Sequence, residues 1–334
     1  MKKHYNIPIF VPHQGCPNDC VFCDQKQITG QSGEPDIPDI KEEIEKQINI
    51  VTDSLDKNPV KTEIAFFGGS FTGLEIAQME KYLKLANEYI EKYKIDGIRL
   101  STRPDYISPQ IIDILRRYNV TSVELGIQSM DDDVLAASGR GHTPEDSKRA
   151  CALIKSAGLA LTGQIMLGLP GSNFKSDMQT AEELAHLGID SARIYPTIVL
   201  QGTRLYTMYK SGEYVPLELD EAILRAKEIK KLFDSFDIAI LRMGLCSSDN
   251  INTKNCIGPY HPAFGELVEG ELLYDKLSEE IKNIKSNSIT IRINKKTMSK
   301  LVGHKKKNIE RLKNLKTINI IEDNSINSYK IQSN

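Results

Sequence analysis

Cys16, Cys20 and Cys23 share one short stretch, His13-Gln14-Gly15-Cys16-Pro17-Asn18-Asp19-Cys20-Val21-Phe22-Cys23. Thiolates spaced C-x3-C-x2-C in a loop can converge on three corners of a cubane 4Fe–4S cluster. No fourth protein ligand is evident nearby, so one iron is left open to a ligand from outside the chain. A zinc site with His13 as fourth ligand is the alternative, since sites of one histidine and three cysteines are common. Structural zinc sites usually pair two C-x2-C-like knuckles, whereas these ligands crowd a single loop, and the cluster is the preferred reading. The odd number of cysteines in the loop argues against a pair of disulfides. The remaining cysteines are poorer candidates. Cys151 falls in a helical pattern and reads as core. Cys246 and Cys256 flank a loop ending Gly258-Pro259-Tyr260-His261-Pro262, and two thiols are too few for a second cluster. His261 reads as a hydrogen-bonded loop histidine, and Tyr195 and Tyr260 as packing.

A cysteine loop needs a scaffold to position it, and the rest of the chain supplies one. Short β-rich apolar runs alternate with amphipathic helical stretches, the pattern of repeated βα units around a parallel sheet. Strands are predicted over 8–11, 63–67, 97–101, 122–127, 160–167 and 191–196. Helices are predicted over 39–55, 76–92, 109–117, 144–157, 175–186 and 220–236. Six such units suit an open, partial (βα)6 TIM-like barrel, an α/β fold, better than a closed eightfold one. In such barrels chemistry sits at the carboxyl ends of the strands, and every distinctive motif falls there. Residues 1–236 are expected to form this core and 237–287 an extension of it, with 238–244 a candidate further strand. Residues 288–334 read as a small basic α+β domain, strand (288–293), helix (296–315), strand (317–321) and strand (329–332).

Composition narrows the class. The chain has 334 residues, 40% hydrophobic and 26% charged, ordinary for a globular protein. It has no run of about 18 apolar residues, so no membrane partner is expected, and its start lacks an apolar signal core, so the expected location is the cytoplasm. The net charge of −2 hides an asymmetry: residues 281–334 carry a net +10 and the remainder −12. A basic tail on an acidic body suggests a polyanion-binding module; a solvated lysine-rich surface is the alternative.

The strand ends carry the motifs that place the cysteines in a family. Phe66-Phe67-Gly68-Gly69-Ser70 closes the second strand, where paired glycines let the backbone approach a ligand. Ser101-Thr102-Arg103-Pro104-Asp105-Tyr106 ends the third, Glu124-Leu125-Gly126-Ile127-Gln128-Ser129 the fourth, with Arg140-Gly141-His142-Thr143 after it. Gln164-Ile165-Met166-Leu167-Gly168 ends the fifth, and Arg193-Ile194-Tyr195-Pro196 the sixth. Together with the cysteine spacing, these resemble the radical S-adenosylmethionine superfamily. Within it they resemble the group of the Elongator catalytic subunit's radical domain and the oxygen-independent coproporphyrinogen oxidases.

That resemblance implies an enzyme in which S-adenosylmethionine binds the open iron of a 4Fe–4S cluster and is cleaved reductively to a 5′-deoxyadenosyl radical. It also implies an electron donor such as ferredoxin or flavodoxin. By the same match Gly68, Gly69 and Ser70 meet the methionine amino group, and Gln128 and Thr102 or Arg103 lie near the ribose. Arg140 meets the carboxylate and Gln164 is a polar cofactor ligand; the aromatic Phe22, immediately before the last cysteine, itself suits a wall beside an adenine. An arginine fork suits a carboxylate, although Arg103 could equally serve an ion pair inside the barrel. Two departures are visible. The Elongator subunit spaces its first two cysteines much farther apart, and it continues into an acetyltransferase domain absent from this sequence, so its acetyl chemistry does not carry over.

The tail faintly resembles a KH domain, with Val302-Gly303-His304-Lys305-Lys306-Lys307 where a Gly-x-x-Gly loop would clamp a nucleic-acid backbone. The second glycine is missing. Three functions follow in order of preference: a radical enzyme modifying tRNA or other RNA, a radical enzyme on a small molecule or peptide with the tail as a lid, and a zinc-dependent RNA-binding protein without catalysis.

Overall fold

The βα alternation is realised as a parallel sheet, and the phase of each strand decides what faces the helices. The computed structural model describes residues 4–11, 16, 20–23, 37–55, 61–246, 251, 252 and 254–333. The elements begin β1 (His4–Phe10), α1 (Ile37–Leu55), β2 (Lys61–Phe67), α2 (Ile76–Tyr93), β3 (Gly97–Thr102), α3 (Pro109–Arg117) and β4 (Val120–Gln128). They continue with α4 (Asp132–Ala137), α5 (Pro144–Ser156), β5 (Ala160–Leu167), α6 (Phe174–His186), β6 (Ser191–Pro196), β7 (Val199–Leu200), α7 (Arg204–Ser211) and α8 (Leu219–Ser235). Then come β8 (Ala239–Met243), β9 (Cys256–Ile257) and α9 (Phe264–Lys282). The large sheet has the order β1-β2-β3-β4-β5-β6-β8, every neighbouring pair parallel. It is a curled half-barrel with one strand more than the six βα units predicted, the candidate at 238–244 having become the edge strand β8.

Along β6, Ala192 and Ile194 are fully buried against the helices, while Arg193 and Tyr195, alternating with them, face the concave side. The same phase on β4 puts Val123 and Leu125 in the helix-side core and Ser122, Glu124 and Gly126 in the lumen. Closed eightfold barrels fill this space with branched apolar residues; here the lumen is polar. Helix starts follow local rules. Ser108 caps α3, and Thr143 with Asp146 forms a capping box ahead of Pro144 at the start of α5.

The tail sheet is built from β10 (Ser288–Ile293), β11 (Thr317–Glu322) and β12 (Tyr329–Ser333), with β10 central, β11 parallel to it and β12 antiparallel. Its core is Ile289, Ile291, Ile293, Leu301 and Leu312 with Leu277 and Ile281 of α9. The first half of α9, through Phe264 and Val268, packs instead on the half-barrel core, so this helix joins the two. The single helix predicted over 296–315 is divided into α10 (Lys295–Val302) and α11 (Lys307–Lys313). Gly303 causes the break: its φ is +71°, and a Cβ there would lie 2.7 Å from Cγ of Asn308. No helix among the described residues is long and apolar enough to cross a membrane.

Candidate functional site at the carboxyl ends of the strands

The cysteine segment is stitched to the rim of the half-barrel by the backbone around it. Val21 donates its N–H to the carbonyl of Ser138 at 3.1 Å and accepts from the N–H of Leu205 at 2.7 Å. Its side chain packs with Val199, Leu205 and Tyr214, and Phe22 joins that cluster. These contacts bring the loop after β1 against the turns after β4 and β6. The thiol of Cys16 lies 3.0 Å from the Ser70 hydroxyl. The Arg140 guanidinium donates through Nη1 to the thiol of Cys20 at 3.3 Å and through Nη2 to the carbonyl of Gly126. The N–H of Cys23 closes a turn onto the carbonyl of Cys20 at 3.0 Å. Among the described residues no three His, Cys, Asp or Glu side chains stand together as a ready metal site. The residues between the first two cysteines, and His13 of the zinc alternative, lie outside the described residues.

The predicted cofactor residues gather on the same rim. Arg103 is 3% exposed; it grips Asp105 through Nε and Nη2 at 3.0 and 3.1 Å, and Nη2 also donates to the Arg140 carbonyl. Its Nη1 is buried with no hydrogen-bond partner. Burial works against the charge of Arg103, but Asp105 and the Cys20 and Cys16 sulfurs outweigh it and hold its pKa above the ordinary value. Arg103 therefore combines the ion pair with a place beside the thiols, and it supports the turn that aims Arg140. Thr102 pairs with Thr72 at 2.6 Å, both buried. Gln128 has a φ of +68° at a register shift between β4 and β5, which turns its side chain toward Gln164, whose Nε2 donates to it at 3.3 Å. A Cβ on Gly126 would lie 3.0 Å from Nε2 of Gln128 and 3.6 Å from Nη2 of Arg140. A side chain there would crowd the Gln128 amide, which would have to shift by a few tenths of an ångström. Gly68, with a φ of +106°, and Gly69 lead into Ser70, which is 2% exposed.

Below this rim lies a charged layer that the sequence motifs did not single out. Arg193 donates through Nε to Glu124 at 2.8 Å, lies within 3.3 Å of the Tyr195 hydroxyl, and sits 5.9 Å from the Phe67 ring centroid. Arg99 approaches Glu124 at 3.8 Å and donates to Thr162. Burial lowers the pKa of Arg99, whereas Glu124 more than offsets burial at Arg193 and raises it. Arg242 pairs in register with Arg193 on the edge strand. Strand alternation marks these residues as one face, but their pairing across four strands is not visible in sequence.

His142 was also not singled out. It is 3% exposed, with Nε2 at 3.2 Å from the Ile127 carbonyl. Burial first, then the nearby Arg140 and Arg103 charges, push its pKa down to about 3. Its folded value lies below the unfolded value, so its contribution is complete above about pH 6.5 and is lost as the pH falls toward 3. The slope is about 1.4 kcal/mol per unit. Between pH 6.5 and 5 the wild type is expected to lose about 2 kcal/mol more than His142→Phe, read from urea unfolding at each pH; parallel losses would show that the ring charges freely in the folded state.

A thiol triplet suits iron and sulfide, and the surroundings suit an anionic cluster. Arg103 and Arg140 stand over the thiols, and Arg103 has a buried nitrogen unsatisfied by protein.

Comparison with known proteins bears on the family and the fold. Residues 10–184 match the radical SAM superfamily, and residues 189–274 the radical SAM C-terminal domain. An uncharacterized protein of Methanocaldococcus jannaschii is 32% identical over 232 residues, 66% of this chain and 70% of that one. The tRNA uridine(34) acetyltransferase of Methanocaldococcus infernus is 32% identical over 183 residues, 49% of this chain but only 34% of the relative. The Elongator complex protein 3 of Saccharomyces cerevisiae is 29% identical over 46% of this chain and 31% of its own. The chain thus spans about a third of the length of these two relatives. In solved structures, the archaeal Methanocaldococcus infernus Elp3 shares the fold with a TM-score of 0.64 at 22% identity, covering 84% of this chain and 64% of that one. Coproporphyrinogen III oxidase of Escherichia coli follows at a TM-score of 0.50 and 16% identity, over 80% of this chain and 59% of its own. The zinc-binding, non-catalytic reading falls with these matches. The chain belongs to the radical S-adenosylmethionine superfamily, whose enzymes use a 4Fe–4S cluster and S-adenosylmethionine.

Proposed function

We propose that this chain is a radical enzyme that modifies RNA, with tRNA as its substrate. The observation that carries the assignment of the site is the joining of Cys16 to Ser70 and Cys20 to Arg140 at the strand ends. It gathers a thiol set, an arginine and the Gly-Gly-Ser backbone into one mouth. Cys16, Cys20 and Cys23 would hold the cluster, which when bound supplies one-electron cleavage of S-adenosylmethionine. Ser70 and the Gly68–Gly69 backbone would take the methionine amino group, and Arg140 its carboxylate. Thr102, Arg103, Gln128 and Gln164 line the ribose side. Phe22, held by its cluster at the rim, stands at the adenine side. The tRNA assignment draws on the relatives aligned to this region, named as a tRNA uridine(34) acetyltransferase and an Elongator protein.

Removing Arg140 should weaken cofactor binding without removing the cluster. Arg140→Ala is expected to cost about 2 kcal/mol, roughly a 30-fold rise in the S-adenosylmethionine Kd, because a charge-assisted pair is lost. Anaerobic equilibrium dialysis measures it; an unchanged Kd with intact cluster absorbance would take Arg140 out of the cofactor site.

The function itself is tested by incubating anaerobically reconstituted protein with cellular tRNA, S-adenosylmethionine and a reductant. A new nucleoside, found by mass spectrometry and dependent on S-adenosylmethionine, is the expected result. A second reading has one observation in its favour. Arg99 and Arg193 share Glu124 in the lumen, with Arg242 in register beside Arg193, while Glu63 lower down is already paired with Lys61 at 2.9 Å. Such an excess of guanidinium groups suits a small substrate bearing an acid group. Unchanged tRNA nucleosides beside productive S-adenosylmethionine turnover on small acids would favour it.

A further inference from the structure

The break between α10 and α11 turns a lysine pair outward at the same rim as the thiols. The carboxyl-end rim can be followed from β6 into the tail. Directly after β6, Val199 and Leu200 of β7 pair antiparallel with Ile257 and Cys256 of β9, so the segment leading to His261 lies on that rim. Helices of a parallel α/β unit run back from the rim, which puts the first turns of α8 and α9 there as well. The α10–α11 turn is fastened to all three. Lys307 reaches Asp220 in the first turn of α8 at 2.8 Å, and the His304 ring meets the His261 ring edge-on at 5.0 Å. Asn308 donates to the carbonyl of Gly270 at 2.9 Å, and Arg311 grips both oxygens of Glu271 in α9.

The basic residues that do this fastening are not the ones at the tip. Lys300, Lys307 and Arg311 are paired with Glu269, Asp220 and Glu271. Lys305 and Lys306 are both exposed, and neither has an ion pair or side-chain hydrogen bond among the described residues. Both also hold left-handed backbone, with φ of +49° and +65°, a conformation that side-chain-bearing residues rarely adopt. Their backbone shapes the turn ahead of α11, where the Lys306 N–H closes onto the Gly303 carbonyl at 3.1 Å, but their side chains are spent on no ion pair with the barrel. Strain kept at one exposed point of a fold invites a functional reading, and two unneutralised ammonium groups in a segment, residues 281–334, of net +10 suit phosphates.

We infer that the Lys305–Lys306 turn is a docking point for the phosphate backbone of an RNA strand, placed on the mouth rim so that a neighbouring nucleotide can enter the half-barrel. This rests on the RNA reading of the function and gives the tail its part in it. The lysines supply position and no base preference, so they should act alike on different sequences.

The test uses the full chain with its cluster reconstituted, and a fluorescein-labelled tRNA anticodon stem–loop as the probe, followed by anisotropy over a series of salt concentrations. Lys305→Glu/Lys306→Glu is compared with Lys282→Glu/Lys285→Glu. The latter makes the same charge change on exposed lysines at the far end of α9. The rim variant is expected to bind at least about tenfold more weakly, and its log–log salt slope to shrink by about 1.4, roughly 0.7 per phosphate contact on a single strand. The control should change Kd less than about twofold, and both variants should keep S-adenosylmethionine cleavage, showing that each is folded. Equal losses in both variants would reduce the effect to overall charge and overturn the inference. An unchanged rim variant would place the RNA surface elsewhere and overturn it while leaving the RNA reading intact. A wild type that fails to bind the stem–loop at low salt would remove that reading, and the docking point with it.

Discussion

Anaerobically reconstituted Cys20→Ala is expected to arrive colourless, without a 4Fe–4S cluster and with S-adenosylmethionine cleavage at background. The wild type should be brown and bleach in air, because an iron with no protein ligand is open to oxygen. Cys20 is the most telling of the three to replace. It is 8% exposed and takes the hydrogen bond from Arg140, so its loss removes a cluster ligand and the arginine's partner together. Cys151→Ala is the matched control. That thiol is fully buried in the helix-side core rather than in the cysteine loop, and burial pushes its pKa up to about 12. The readouts are iron and sulfide content and the visible spectrum. A Cys20→Ala protein that keeps a full cluster would overturn the ligand assignment, and a colourless wild type holding one zinc would overturn the cluster.

The second large effect should come from the lumen. Glu124→Gln is expected to destabilise the protein by about 3–5 kcal/mol, because Arg99 and Arg193 then remain buried without their carboxylate. The change is nearly isosteric, so the loss would report charge rather than packing. Urea unfolding at pH 7 measures it as a lowered midpoint at constant slope. Adding Arg99→Met to the same background should recover part of the loss, since one uncompensated guanidinium is gone and its volume is kept. An unchanged midpoint in Glu124→Gln would mean that water or a bound anion already balances the arginines, which would strengthen the small-acid reading. Because Glu124 lies beneath the cofactor rim, cluster content should survive wherever the variant is folded.

What could be read from the sequence was local. The C-x3-C-x2-C spacing, the Gly-Gly-Ser turn and the βα period each lie within a few residues of themselves, and each reports its chemistry or element directly. The boundaries were less legible where two signals competed. The lysine-rich stretch 296–315 has helical residues throughout, yet Gly303 and the close approach of Asn308 divide it. At the start, β1 begins at His4, four residues before the predicted strand, because pairing with β2 from Lys61 onward extends it.

The tertiary structure decided the pairings. Ser70 meets Cys16 across 54 positions, Arg140 meets Cys20 across 120, and Arg193 meets Glu124 across 69. Such contacts depend on strand order and register, which no single stretch of sequence encodes. They follow once β4, β5 and β6 lie side by side and each strand's alternation assigns one face to the helices and the other to the lumen. The same reasoning covers the tail. Its charge was plain from composition, but which lysines are consumed in ion pairs and which stand open on the rim depends on where α8 and α9 present their acids. The sequence by itself determined the type of chemistry and the barrel that carries it. Only the packed fold decided which distant side chains share its mouth, because long-range electrostatic and hydrogen-bond partners are chosen by geometry after the backbone is laid down.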